Sequence, residues 1–111
     1  MERIDNIEKI DIIIPEDENG NFVMIITDDH DWINISEHTG FIIKKINYYL
    51  LCLNSNDLYI QFENAKNLKK MIKIIFKFEI SSEIIDFLEK TKISLNNKQY
   101  LFEYEKYEIK N

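Results

Sequence analysis

Phe22 to Thr27 (Phe-Val-Met-Ile-Ile-Thr) is the stretch that most limits what this chain can become. In an extended strand its apolar side chains fall on both faces, Phe22, Met24 and Ile26 on one and Val23 and Ile25 on the other. Such a strand belongs in the middle of a sheet or under cover on both sides. Lys9 to Pro15 reads as its predecessor, with Ile10, Ile12 and Ile14 on one face and Asp11 and Ile13 on the other, and Pro15 either ends it or places it at a sheet edge. The acidic loop Glu16-Asp17-Glu18-Asn19-Gly20 joins the two, and its Asn-Gly pair tolerates the positive φ a hairpin needs.

After the acidic hinge Asp28-Asp29-His30-Asp31-Trp32 comes the strongest helical pattern, with Ile42, Ile46, Tyr49 and Leu53 at the helical period and Ile43 and Leu50 widening the stripe. Ser36 is the expected N-cap and Glu37 sits where the helix dipole favours an anion. Gly40 in the first turns costs about 1 kcal/mol relative to Ala. Asn54-Ser55-Asn56 ends the helix. Leu58, Ile60 and Phe62 alternate with polar neighbours as in a short strand, the other reading being a continuation of the helix. Asn64 to Lys70 reads as a polar connection.

Met71 to Glu79 is the clearest half-buried strand, with Ile72, Ile74, Phe76 and Phe78 on one face and Lys73 and Lys77 on the other. Ser81 or Ser82 then caps a second helix carrying Ile84, Ile85 and Leu88 inward. Ile93-Ser94-Leu95 and Gln99 to Glu105 look like paired strands across Asn96-Asn97, with Tyr100, Phe102 and Tyr104 on one face and Leu101, Glu103 and Glu105 on the other. Ile4 and Ile7 suggest one helical turn or an irregular lead-in, and Lys106 to Asn111 extends the last strand or frays. The expected fold is α+β: one domain over residues 1–111, with a single mixed or antiparallel sheet of four to five strands. Both helices pack on one face in the order ββα(β)βαβ, leaving Lys73, Lys77, Glu103 and Glu105 on the open face.

The net charge of -6 is unevenly spread: residues 1–40 hold 11 acids against Arg3 and Lys9, and residues 41–111 hold 9 acids against 12 Lys. Acids gathered in the first third repel polyphosphate and attract basic partners. The first residues lack the apolar run of a secretory signal and no stretch is long enough for a membrane span, so the expected place is the cytoplasm, without nucleic-acid or membrane partners. Cys52 is the only cysteine, so an internal disulfide is excluded.

Chemistry is sought first at the hinge. Asp28, His30, Asp31 and His38 are metal-ligand types, but the spacing of an EF-hand, a zinc protease or a zinc finger is not there. With two Gly in the chain no phosphate-cradling loop can be built. Cys52, beside Leu51 and Leu53, reads as a core thiol, and the serines sit at helix ends rather than in a Gly-rich elbow. Lys66, Lys69, Lys70, Lys73 and Lys77 interleave with aromatics, yet Phe76 and Phe78 share the opposite strand face, so these lysines read as solvated.

Lys9-Ile10-Asp11, Asp31-Trp32, Glu37-His38, Lys45-Ile46-Asn47 with Tyr49-Leu50, and Ser55 together resemble a family of small bacterial proteins catalogued only as a domain of unknown function. The likeness runs over nearly the whole chain and departs at Thr39, where the family tends to have Leu, and at Asn56, where it tends to have Gly. It implies the same order of elements and brings no activity.

The leading expectation is a non-catalytic acidic binding module needing no cofactor, most sharply an immunity-type protein neutralising a basic toxin such as a nuclease. Its contact residues are expected at Glu16, Asp17, Glu18, Asp28, Asp29 and Asp31. The alternatives are a small metal-binding enzyme or sensor using Asp28, His30, Asp31 and His38, and a homo-oligomer paired through the final strand.

Overall fold

The computed structural model describes residues 9–107. The Ile4 and Ile7 lead-in and the tail beyond Tyr107 lie outside them. The elements are β1 (Ile12–Ile14), β2 (Asn21–Asp28), α1 (Ile35–Leu53), α2 (Asn56–Gln61), a 3-10 turn (Glu63–Asn67), β3 (Lys69–Phe76), α3 (Ser82–Asn97) and β4 (Leu101–Lys106). The strands form one sheet in chain order, β1-β2-β3-β4. β1 is antiparallel to β2, and β2–β3 and β3–β4 are parallel. The fold is α+β with a mixed sheet.

β2 is buried at every position, as its two apolar faces require. Phe22, Met24 and Ile26 join Ile72, Ile74, Phe76 and Phe102 on one side of the sheet. Over them α1 lays Ile42, Ile46, Tyr49 and Leu53, and α3 lays Ile84, Leu88 and Leu95. One cluster thus holds the buried stripes of both long helices, which places them on the same face. On the other face Val23, Ile25 and Met71 cluster with Ile75 and Leu101, and among the described residues no helical one takes part. There Lys73 reaches Glu105 at 3.3 Å and Glu103 at 4.0 Å across the β3–β4 pair. No helix among the described residues is long and apolar enough to cross a membrane.

Several local expectations need correction. β1 is three residues long, and Ile12 and Ile14 stand 44% and 37% exposed while Ile13 packs into the helix-side core. The cap of α1 is Asn34, not Ser36: its side chain accepts from the Glu37 N–H and its amide donates back to the Glu37 carboxylate. Leu58 to Phe62 is no strand. Ser55 accepts from the Asp57 N–H and starts the short helix α2, whose Leu58 is buried and whose Tyr59 hydroxyl donates to the Leu53 carbonyl.

Ile93-Ser94-Leu95 is helical as well. Leu88 and Leu95, two turns apart, both face the core, and Ile93 is exposed. α3 ends in a Schellman closure. Gln99 takes φ +71 as the residue after the cap, the Tyr100 N–H donates to the Leu95 carbonyl, and the Gln99 N–H donates to the Asn96 carbonyl. β4 therefore pairs parallel to β3, not with a neighbouring hairpin strand. Lys77 and Phe78 fall beyond the end of β3, the Lys77 ammonium lying 5.6 Å from the Phe78 ring centre.

Candidate functional site

The hinge is built around a buried acid and a buried imidazole. β2 ends at Asp28, which is fully buried, and α1 brings His38 in from above at 3% exposure. His38 Nε2 and Asp28 Oδ2 are 2.5 Å apart, and Asp28 Oδ1 accepts from the His30 N–H at 3.1 Å. At the other ring nitrogen, Nδ1 donates to the Asp31 carbonyl oxygen at 3.0 Å, since a carbonyl can only accept. Trp32 stacks on the imidazole with ring centres 3.7 Å apart and planes at 19°, and it leans on Phe76 at 5.7 Å.

Both nitrogens of His38 thus face acceptors inside the protein, and the buried carboxylate and imidazole are each other's polar partners. Of the four residues considered as metal ligands, Asp28 and His38 are engaged with each other. His30 approaches only as a ring 5.8 Å from that of His38. Asp31 serves His38 through its carbonyl, while its carboxylate accepts from the Ile33 N–H. Among the described residues no group of three or more His, Cys, Asp or Glu side chains is arranged to hold a metal ion. Asp29 Oδ1, His30 Nε2 and Trp32 Nε1 are buried without a hydrogen-bond partner among the described residues, the first two 4.0 Å apart.

The six acids expected at a contact surface separate into two groups. Glu16 and Glu18 are exposed in the loop before β2. Asp17 Oδ1 accepts from the N–H groups of Asn21 at 2.8 Å and Asn19 at 2.9 Å, and these donors, that of Asn21 foremost, hold its carboxyl below the usual range. Asp29 and Asp31 follow β2, at its other end. An eight-residue strand separates the groups, on the order of 25 Å at the rise of an extended chain, so they do not form one rim. Asp28 leaves the contact set altogether, because its fully buried carboxylate faces His38.

A second buried network escaped the sequence reading. Asp11 Oδ1 meets Lys45 Nζ at 2.7 Å. Asp11 Oδ2 accepts from the Thr27 N–H at 2.9 Å and the Thr27 hydroxyl at 3.2 Å. The Tyr49 hydroxyl accepts from the Asp11 N–H and donates to the Ile25 carbonyl, and burial first, then the nearby Asp11 charge, raises its pKa well above the ordinary phenol value. One signal was available: Lys45 occupies the second position of the stripe Ile42, Lys45, Ile46, Tyr49, where a cation needs a partner.

The fold and these networks define a small α+β sheet domain whose interior polar groups are tied to one another across α1, β2 and the segment before β1. The chain belongs to a family of unknown function (DUF6572), whose model matches residues 2–108. Comparison with curated proteins found no match, and comparison with solved structures found none. The short motifs behind the resemblance are largely the networks themselves: Asp11, Lys45 and Tyr49 form one, and the Asp31 carbonyl, Trp32 and His38 form most of the other, while Ser55 caps α2.

Proposed function

We propose that the chain is a non-catalytic binding module for a basic protein, most sharply an immunity-type protein that neutralises a basic toxin such as a nuclease. The observation that carries this reading is a depression of about 400 Å³ on the sheet face opposite the helices, floored by Ile14, Val23, Ile25 and Met71 and edged by Asp17, Glu18 and Glu103, with one cation, Lys73, paired to Glu103 and Glu105. An apolar centre with a charged rim is the anatomy of a protein interface, and acids on the rim steer a cationic partner toward it. Glu105 and the half-exposed Ile12 continue the same face. Glu16 lies in the same loop as Asp17 and Glu18.

The test is co-purification from native lysate with the full chain and with a variant in which Glu16, Glu18, Glu103 and Glu105 are changed to Lys. The expected result is a basic protein that the wild type retains at low salt and releases at high salt, that the variant fails to retain, and whose toxicity co-expression of the wild type abolishes. A partner indifferent to both charge reversal and salt, or one with no activity that the chain suppresses, overturns the reading.

A further inference from the structure

We propose that the cleft at the C-terminal ends of α1 and α3 binds a small aromatic anion, a flat ring carrying a phosphate or carboxylate. The cleft measures about 660 Å³, within the range of small-molecule sites, and is lined by residues of α1, α2, α3 and the starts of β3 and β4. Its position is at the far end of α1 from His38, where the helix ends meet the starts of β3 and β4, and it shares no lining residue with the open-face depression.

Charge is the first argument. In a chain of net charge -6, this cleft is lined by Lys69, Lys70 and Lys98 and, among the described residues, by no carboxylate. Two helices end beside it with no basic residue in their last turns, which gives the lysines some local neutralising to do. Each helix end carries only about half a negative charge, so three ammonium groups leave an excess of roughly two positive charges for a ligand.

Shape is the second. The Tyr59 and Tyr100 rings line the cleft and are tethered, Tyr59 by its hydroxyl to the Leu53 carbonyl and Tyr100 by the Asn54 amide at 3.3 Å. The Lys70 ammonium lies 5.5 Å from the centre of the Tyr59 ring. Leu53, Leu68 and Leu101 supply an apolar lining. Fixed rings on an apolar surface favour a flat apolar body, and the lysines favour the acid it carries.

The experiment is a titration of the ¹⁵N-labelled full chain with adenosine 5′-monophosphate and with phenyl phosphate, beside adenosine and inorganic phosphate alone, followed by amide shifts. The expected result is saturable movement at Leu68 to Lys70 and Lys98 to Leu101 with at least one aromatic phosphate, tighter than either half. Changing Lys69 and Lys98 to Ala should weaken binding by about tenfold for each lysine with the melting temperature unchanged, because both are exposed, and changing them to Arg should retain it. Failure of both aromatic phosphates to saturate, equal binding of adenosine or of phosphate alone, or indifference to the Ala changes overturns the proposal and leaves the lysines as neutralisers of the helix ends.

Discussion

Lys45 reaches Asp11 across 2.7 Å with neither side chain more than 1% exposed. The pair joins α1 to the segment just before β1, and through Thr27 and Tyr49 it also engages β2. An edge strand of three residues gains little hold from its own ladder, so much of its attachment comes from this bond.

Lys45→Met is therefore expected to destabilise the fold by about 3–5 kcal/mol, because it strands the Asp11 carboxylate in the interior. Adding Asp11→Asn should return part of that loss, since Asn keeps an acceptor for Thr27 and removes the uncompensated charge. Urea unfolding of the two single variants and the double variant reads this directly. Strictly additive losses would show that the two residues do not act as a pair.

The Asp28–His38 pair predicts an asymmetry of a different kind. His38→Ala leaves a fully buried carboxylate without its counter-group and should cost about 3 kcal/mol or more, with the near-ultraviolet circular dichroism of Trp32 altered as its stacking partner disappears. Asp28→Asn should be the milder change, because its Oδ1 still accepts from His30 and the substitution removes the buried carboxylate rather than stranding it. Equal losses for the two variants would contradict the charge argument.

Gln99 holds φ +71 at the end of α3, a conformation that a residue with a Cβ adopts at a cost of roughly 1–2 kcal/mol. Gln99→Gly should raise stability by somewhat less, about 0.5–1 kcal/mol, because glycine also loses more backbone freedom on folding. A raised melting temperature with an unchanged circular dichroism spectrum is the expected result, and a lowered one would mean that the Gln side chain holds the turn.

Tyr104 donates to the Glu89 carboxylate at 2.6 Å, and that hydrogen bond, with burial and the carboxylate's charge behind it, pushes the phenol from the ordinary 10.0 up to about 12. The folded value lies above the unfolded one, so the bond's contribution to stability is fully present below pH 10.0 and is lost as pH rises through about 12. Ultraviolet titration of the phenolates should show several late groups in the wild type, Tyr49 and Tyr104 among them, of which Glu89→Ala returns one toward the ordinary range. No change on that substitution would locate the late titration elsewhere.

What the sequence discloses of this fold is what short-range periodicity carries. β2 announces its central place by being apolar on both faces, and Ile42, Ile46, Tyr49 and Leu53 are all buried, as their spacing in the helix requires. Leu58 to Phe62 shows how alternation misleads in a short segment: the local Ser55 cap on the Asp57 N–H and the burial of Leu58 decide for helix. Ile93 to Leu95 misleads through its composition, whereas the spacing of Leu88 and Leu95 runs the helix on to Asn97. The hinge acids are harder still. Nothing local distinguishes Asp28 from Asp29, and only the arrival of His38 from ten residues on makes one a buried partner and leaves the other near the surface. The cleft with Lys69, Lys70 and Lys98 was not legible, because it takes the end of α3 to bring Lys98 beside the start of β3.

The sheet's spatial order repeats its order along the chain. Each strand lies against the one made just before it, so no strand waits for a distant, later segment to fill a gap between neighbours. During synthesis, β2 can settle on β1, β3 on β2 once α1 has folded back, and β4 on β3 last, each parallel pairing waiting for the crossover between its two strands. A ribosome-bound chain ending at Phe76 and followed by a linker long enough to clear the exit tunnel would already hold both partners of β2, and protection of β2 amides from hydrogen exchange at that length would show assembly proceeding in step with translation.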